Sequence, residues 1–271
     1  MPNENPSSPM SPEENSEENL ALRTEDVTVE FSGFKAVEGL NFKLRKGELR
    51  FLIGPNGAGK TTLLDVICGR IEPTLGKVLL FKGDKQTINL TKLQEHQIVG
   101  KGVARKFQTP SVFGSLTVWD NLALALRAPR GLWPTLRAKA TNTQKQEIEG
   151  WLETIGLQDE AQRLAGPLAH GQKQWLEIGM TLAQKPDVLL LDEPAAGMTD
   201  QETDDLGQLL NRLGDEISIL VVEHDMEFVR RYAQTVTVMH EGKILCEGTM
   251  DEVQADERVA QVYLQRRVVD A

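Results

Sequence analysis

The sequence predicts an α/β protein with a mainly parallel core sheet, an N-terminal antiparallel β subdomain and an inserted helical subdomain. Three patterns lead to this prediction. Short β-type runs open the chain, apolar strand-like runs further on alternate with helical stretches, and residues 117–184 contain no convincing strand. Strands that alternate with helices are typical of a parallel sheet with helices on both faces. The chain shows no internal repeat, so one such domain is expected.

The individual elements follow from local composition. Five short runs bounded by glycine or charged residues predict strands, at 27–31, 40–44, 49–53, 188–191 and 217–222. Helical patterns predict one helix from residue 60 to about residue 70 and another over 200–213. The helical subdomain is expected at about 117–184, inserted between the early and the late strands.

Residues 1–22 form an acidic stretch with five glutamates and neither lysine nor arginine. Its few apolar residues cannot bury enough surface to offset the entropy cost of ordering. We therefore expect a disordered tail over 1–22 and a folded domain over 23–265. The stretch also lacks the basic start and the apolar run of a secretory signal, so the protein is expected to remain in the cytoplasm.

Composition excludes several classes of protein. The 271 residues carry a net charge of −10, which lacks the basic footprint of a nucleic-acid-binding protein. The longest nearly unbroken apolar stretch, 217–222, is far shorter than the roughly 18 residues that a membrane span needs, so any membrane role is expected to be peripheral. Cys68 and Cys246 form no metal-type cluster in the sequence and are expected as reduced thiols.

Residues 54–61 read Gly-Pro-Asn-Gly-Ala-Gly-Lys-Thr and lie between an apolar strand and a helical stretch. This is the G-x-x-x-x-G-K-[ST] pattern in the context that a phosphate-binding loop requires. Glycines let backbone N–H groups curl around a phosphate, and the start of the helix adds a favourable field. Lys60 supplies positive charge, and the Thr61 hydroxyl is suited to Mg²⁺.

Two later strands end in side chains that suit phosphate chemistry. The run 187–191 leads into Asp192 and Glu193, of which the first would hold Mg²⁺ and the second would polarise the attacking water as a general base. His224 follows the apolar run 219–222 and could reach a γ-phosphate oxygen. Alone, such acids often only solvate a strand end and such a histidine is usually structural, so Lys60 decides the interpretation.

Residues 168–174 read Leu-Ala-His-Gly-Gln-Lys-Gln and open a helix expected to begin at Gly171. The free N–H groups of a helix start form a second anion site. The stretch differs at two residues from the Leu-Ser-Gly-Gly-Gln signature of ATP-binding cassette (ABC) proteins. With the phosphate-binding loop and the Asp192–Glu193 pair, it makes the chain resemble an ABC ATPase, a P-loop NTPase, from about residue 23 to residue 264.

This resemblance implies roles for individual residues. Phe31, with Phe34 as the less favoured candidate, would stack on adenine, and Gln108 would sense Mg²⁺ and the attacking water. The catalytic residues would be Glu193, His224 and Gln108, and the metal ligands Thr61, Gln108 and Asp192. ATP would further contact Gly54, Pro55, Asn56, Gly57, Ala58, Gly59, Lys60, Thr61, Thr62, Ala169, His170, Gly171 and Gln172.

The resemblance also implies a class of transporter. Residues 31–37, 103–113 and 196–199 look like the ATPase subunits of branched-chain-amino-acid-type importers, and residues 170–180 and 47–50 are similar to the ATP-binding subunit of the urea importer. We therefore predict an ATPase that energises urea import. A branched-chain amino acid or amide importer, an iron–sulfur cluster assembly ATPase and a non-catalytic nucleotide sensor are the alternatives.

The partners implied by this class are a second ATP-binding subunit, two membrane permease subunits and an extracytoplasmic solute-binding protein. The second ATP-binding subunit is expected to be a different chain. The chain would lie peripherally on the cytoplasmic face of the plasma membrane and bind no nucleic acid. Two departures concern the dimer: Ala169 replaces the signature serine, and Thr199 stands where many family members have an aspartate.

A basic stretch at 127–145 contains five cations and no acid. One interpretation is a solvated connection between two helices, and the sharper hypothesis is contact with anionic lipid or with the permease. The cations are Arg127, Arg130, Arg137, Lys139 and Lys145.

Overall fold

The computed structural model describes residues 19–83, 86–106, 111–126 and 141–262. Five strands near the start of the chain form an antiparallel sheet in which β1 (Leu20–Phe31) is central. β1 pairs with β2 (Phe34–Leu40), β3 (Lys43–Arg45) and β5 (Leu75–Lys82), and β6 (Gln86–Asn89) extends the sheet beyond β5. The expected N-terminal antiparallel subdomain is therefore confirmed.

The core sheet has six strands: β4 (Leu49–Ile53), β7 (Val103–Lys106), β8 (Val188–Asp192), β9 (Ser218–Val222), β10 (Thr235–His240) and β11 (Lys243–Gly248). Their order is β11–β10–β4–β9–β8–β7. β10, β4, β9, β8 and β7 run parallel, whereas β11 pairs with β10 in the antiparallel direction. Every residue of β4, β8 and β9 is buried, which explains why these strands are almost continuously apolar in sequence.

Eight α-helices are present in the described ranges. They are α1 (Lys60–Ile67), α2 (Glu95–Gly100), α3 (Val118–Ala125), α4 (Asn142–Thr154), α5 (His170–Leu182), α6 (Asp200–Leu213), α7 (Met226–Tyr232) and α8 (Met250–Ala255). Between β7 and β8, the described residues contain α3, α4, a 3₁₀ turn at Gln158–Glu160 and α5. Among all the described residues, no helix combines the length and the apolar character that crossing a bilayer requires.

The two faces of the core sheet pack against different layers because alternate strand residues point in opposite directions. On one face, Leu52, Leu190 and Leu220 join a cluster with the antiparallel sheet and α1. On the other face, Phe51 and Leu191 join a cluster with the helices that follow β7. The core sheet is thus enclosed between the antiparallel sheet and the helical layer.

The first strand differs from its prediction. β1 begins at Leu20, so Leu20, Ala21 and Leu22 lie inside a strand although the sequence placed them in the tail over 1–22. Each of the three is no more than 4% exposed, and Ala21 and Leu22 belong to the apolar cluster that the antiparallel sheet shares with α1 and the core sheet. The acidic stretch up to residue 18 lies outside the described residues.

The strand expected at 40–44 is in fact two strands. β2 ends at Leu40 and β3 begins at Lys43, and the two pair with different halves of β1. At the break, the Asn41 amide donates to the Asp26 carboxylate and to the Gly39 carbonyl. The Phe42 N–H donates to the Thr24 hydroxyl, which holds the chain as it changes register. The composition of residues 40–44 does not show that the chain passes here from one half of β1 to the other.

Candidate functional site

Three of the predicted site segments emerge from one edge of the core sheet. The loop 54–59 follows β4. Asp192 is the last residue of β8, Glu193 comes directly after it, and His224 lies just beyond β9. β4, β9 and β8 are adjacent and parallel, so these segments meet at the carboxyl edge of the sheet, where ligands bind in open α/β folds. Gln108 follows the next strand, β7, but residues 107–110 lie outside the described part of the chain.

The loop 54–59 is shaped by glycines that no other residue could replace without strain. Gly54 has φ +147°, and a Cβ there would lie 2.2 Å from the Met239 carbonyl oxygen. Gly59 has φ +98°, caps α1, and would bring a Cβ within 2.5 Å of the Ala36 carbonyl oxygen. A Cβ on Gly57 would meet no heavy atom within 4 Å, so that side of the loop is open.

Lys60 lies over this loop at the start of α1. Its Nζ donates to the carbonyl oxygens of Gly54, at 2.8 Å, and of Pro55, at 3.0 Å. The cation, the helix start and the glycine backbone therefore converge on one small volume. This combination fits a polyphosphate, because both the charge and the free N–H groups attract anions.

Asp192 is buried at the end of β8 and is paired with a residue that the sequence analysis did not identify. Its Oδ2 accepts a hydrogen bond from Arg105 Nη2 at 2.9 Å, and Arg105 Nη1 donates to Asp65 on α1 at 2.7 Å. Burial raises the pKa of Asp192, while the Arg105 guanidinium acts in the opposite direction. Arg105 thus joins the strand that carries Asp192 to the helix that follows the phosphate-binding loop. The charge of Arg105 within the short run 103–106 was the sequence signal that could have identified it.

Glu193 has an unusual backbone conformation for a non-glycine residue, with φ +47°. Its N–H donates to the Val222 carbonyl at 2.9 Å, which aligns the ends of β8 and β9. The carboxylate Oε1 lies 3.6 Å from His224 Nδ1, and the His224 side chain is 67% exposed. The structure therefore brings Glu193 and His224 together at a position open to solvent.

Glu223 is a second residue that the sequence analysis missed. It is buried, and its two carboxylate oxygens accept hydrogen bonds from the N–H groups of Ala195 and His224, both at 3.1 Å. Burial raises the pKa of Glu223, and these backbone N–H groups oppose the shift. The side chain joins the turn after Glu193 to the residue His224. An acid directly after the buried strand 218–222 was the signal for it.

The aromatic candidates lie on the antiparallel sheet. Phe31 and Phe34 face each other across the β1–β2 turn, and they are 48% and 66% exposed. Both rings are therefore accessible to a base. Which ring contacts adenine stays a prediction.

The signature residues lie at the start of α5, which follows the helical insertion and is distant from Lys60 in the order of elements. α5 begins at His170, one residue before the expected Gly171, with Ala169 as its N-cap. The Gln172 side chain accepts the Ala169 N–H at 3.1 Å. A Cβ on Gly171 would lie 2.5 Å from Glu202 Oε1 of α6, so the helix start packs closely on α6.

Comparison with known proteins gives a consistent result. A family model described as ABC transporter matches residues 37–196. The high-affinity branched-chain amino acid transport ATP-binding protein BraF of Pseudomonas aeruginosa is 36% identical over 252 residues, which cover 90% of this chain and 97% of BraF. LivG of Escherichia coli, whose name describes the same function, is 35% identical over 253 residues with the same coverage.

Solved structures agree. The ADP conformation of an ATP-binding cassette of an ABC transporter matches with a TM-score of 0.76 and 30% identity, covering 90% of this chain and 98% of the other. This chain belongs to the ABC transporter family of ATP-binding proteins. As an ABC ATPase, it has the P-loop NTPase fold, binds ATP and hydrolyses it. The predicted fold class and the predicted ATPase activity are confirmed.

Proposed function

We propose that this ABC ATPase energises an importer of the branched-chain amino acid class. The observation that carries the proposal is the identity of 35% to 36% with BraF and LivG along 90% of the chain, together with a set of phosphate-chemistry residues at one sheet edge. Each of these two relatives is covered over 97% of its own length. That coverage favours a transporter ATPase over the iron–sulfur assembly alternative.

In the proposed site, the phosphates of ATP lie in the loop 54–62 with Lys60 as the main counter-charge. Thr61, Asp192 and Gln108 would hold Mg²⁺, which stabilises negative charge on the phosphates when bound. In the described part of the chain, no group of three or more metal-binding side chains is assembled. Mg²⁺ is commonly held by one or two carboxylates together with substrate phosphates, and Asp192 is the carboxylate of the proposed set.

Glu193 accepts a proton from the attacking water in this proposal, and His224 lies beside it to contact the γ-phosphate. The 3.6 Å separation between the Glu193 carboxylate and the His224 ring supports a shared task. Glu223 holds the backbone of both segments and keeps their spacing. Phe31 supplies an exposed ring for adenine. The presence of Glu193, His224 and Gln108 argues against a non-catalytic nucleotide sensor.

The proposed assembly pairs this chain with a second ATP-binding subunit, head to tail, so that residues 169–172 face the nucleotide of the partner. We propose that the second subunit is a different chain, and that both contact two membrane permease subunits. An extracytoplasmic solute-binding protein would deliver the solute. In this assembly the chain lies peripherally on the cytoplasmic face of the membrane. The basic stretch 127–145, for which contact with anionic lipid or with the permease stays a hypothesis, lies outside the described residues except for 141–145.

The transported solute has two candidates. BraF and LivG are named as branched-chain amino acid transport proteins, and this favours a branched-chain amino acid over the predicted urea. The similarity of residues 170–180 and 47–50 to the urea importer's ATP-binding subunit is the observation that keeps urea as the second candidate. Neither stretch would touch the solute, because the ATPase subunit binds the permease from the cytoplasm whereas the solute passes through the permease itself.

Reconstitution decides between the solutes. The complex that copurifies with this chain is placed in proteoliposomes with ATP inside and the importer's solute-binding protein outside, and uptake of labelled leucine and of labelled urea is measured. We expect ATP-dependent uptake of leucine, abolished by Lys60→Ala. Uptake of urea alone would assign the second candidate. Copurification without any permease subunit, or ATP hydrolysis without uptake of either solute, would contradict the proposal.

A further inference from the structure

Glu177 is a buried carboxylate near the middle of α5, the helix that starts with the signature residues. It is only 5% exposed. Its Oε1 accepts a hydrogen bond from the Ser111 N–H at 3.2 Å, and its Oε2 lies 3.7 Å from Lys106 Nζ. Lys106 is the last residue of β7, and Ser111 comes five residues later in the chain. One carboxylate of α5 therefore contacts the chain on both sides of residues 107–110.

Lys106 carries its cation into the interior of the protein. The residue is fully buried, with 0% exposure, so its charge must be compensated by neighbouring groups. Burial lowers the pKa of Lys106, and nearby carboxylates, Glu177 first and then Asp192 and Glu223, raise it. Glu177 of the signature helix is thus the first of the acids that compensate the buried ammonium.

The contacts of Glu177 with Lys106 and Ser111 link the signature helix to the chain on both sides of residues 107–110. α5 is a continuous helix, and Glu177 lies seven residues after His170, which is about 10 Å along the helix axis. A helix of this length moves as a rigid element, so a displacement of the signature residues also displaces Glu177. Because Glu177 contacts both Lys106 and Ser111, that displacement reaches the chain on both sides of Gln108.

We propose that Lys106 and Glu177 are positioning residues that hold the chain flanking Gln108 in register with the signature helix. The inference rests on the proposed role of Gln108 at the Mg²⁺ and water site. Neither residue touches the nucleotide in this arrangement. Their contribution is to make the geometry for hydrolysis depend on where α5 lies.

The test compares Glu177→Gln with a matched variant, Glu48→Gln. Glu48 is similarly buried, at 6% exposure, accepts a backbone N–H from Arg45 at 2.8 Å and pairs with buried Arg50 at 2.8 Å. It precedes β4 and so lies at the opposite edge of the core sheet. Both variants are expected to lower the melting temperature, because each removes a counter-charge from a buried cation.

The two variants should differ in turnover within the purified importer complex. We expect Glu177→Gln and Lys106→Met to lower kcat by about 10- to 100-fold, since small misplacements of reacting groups carry costs of this size. ATP affinity should stay near that of the wild-type protein. Glu48→Gln should retain wild-type kcat. Equal kcat values for Glu177→Gln and Glu48→Gln would overturn the proposal.

A double variant separates positioning from stability. Lys106→Met/Glu177→Met replaces the whole pair by apolar side chains, which is often neutral or stabilising. We expect its melting temperature to return towards that of the wild-type protein while kcat stays low. If kcat returns together with the melting temperature, the pair has only a structural role and the inference is wrong.

Hydrogen exchange gives a readout that does not depend on activity. In the full chain, peptides that include Ser111 should exchange faster in Glu177→Met, which removes the acceptor of the Ser111 N–H, than in the wild-type protein or in Glu48→Gln. Unchanged exchange would overturn the inference. If the wild-type complex showed no ATP-driven uptake, the proposed function would fail, and the exchange comparison would still decide whether Lys106 and Glu177 hold this part of the chain.

Discussion

At the scale of single residues, Glu193 combines a strained backbone with a reactive position. Its φ of +47° lies in the left-handed region, which costs of the order of 1 kcal/mol or more for a residue other than glycine. The N–H of Glu193 is held by Val222, and the turn that follows is held by Glu223. These hydrogen bonds hold the Glu193 backbone in its left-handed conformation. They point the Glu193 carboxylate towards solvent and His224 rather than into the core.

Glu193→Gln should preserve ATP binding and lower turnover by about 10²- to 10⁴-fold, because the amide keeps the shape but cannot accept the proton from water. The measurement is phosphate release by the importer complex, with ATP affinity determined in parallel. Asp26→Asn is the matched control, since Asp26 shares the left-handed backbone, with φ +48°, and its exposed carboxylate accepts a hydrogen bond from Asn41 in the antiparallel sheet. Wild-type turnover in Glu193→Gln would remove Glu193 from the mechanism.

At the scale of elements, the N-terminal caps of α5 and α6 differ by one hydrogen bond. In α6, the Thr199 hydroxyl accepts the Glu202 N–H at 3.3 Å, and the Glu202 carboxylate accepts the Thr199 N–H at 2.8 Å. In α5, the Gln172 side chain accepts the Ala169 N–H, but the methyl group of Ala169 offers no acceptor in return. The helix that carries the signature therefore begins with half of a capping box.

Ala169→Ser should complete the cap and stabilise the protein by about 0.5–2 kcal/mol, the usual value of an N-cap hydroxyl. Thr199→Ala, which removes the cap of α6, should destabilise it by a similar amount. Urea unfolding of both variants measures the two effects. The serine O–H remains a donor, so Ala169→Ser should also tighten the ATP-bound dimer by about 0.5–1.5 kcal/mol. A destabilised Ala169→Ser variant would show that the hydroxyl does not cap α5.

At the scale of the whole molecule, β1 connects the antiparallel sheet into one unit from its first residue. Leu20 and Leu22 are 3% and 0% exposed, although they follow directly on an acidic stretch. β1 pairs with β3 and β5 on its two sides, and Leu22 packs in the cluster that this sheet shares with α1 and the core sheet. The folded unit therefore starts within the stretch that composition assigned to the tail.

Two truncations test this boundary. Removal of residues 1–18 should leave the free energy of unfolding unchanged, because that stretch is acidic and offers few apolar side chains to pack. Removal of residues 1–22 should lower it by several kcal/mol, since each buried leucine contributes about 1.5–3 kcal/mol. Chemical denaturation of the three chains measures the difference. Equal stability of the two truncated chains would show that the start of β1 contributes nothing.

Much of the site could be predicted from sequence because its motifs are local. The loop 54–61 lies between a strand and a helix in a fixed pattern, and Asp192, Glu193 and His224 closely follow continuous apolar runs. A buried parallel strand shows such a run whatever its neighbours are. The predictions for β4, β8 and β9 were correct to within one residue at each end for this reason.

The sequence by itself therefore determined β4, β8 and β9, the phosphate-binding loop and the family. Only the tertiary structure decided which remote residues meet. Arg105 and Asp192 are 87 positions apart and become partners because β7 and β8 lie side by side in a particular register. The contacts of Glu177 with Lys106 and Ser111 depend likewise on how α5 packs against β7. Local patterns specify each element, whereas pairing between distant charges exists only once strand order and packing have placed them together.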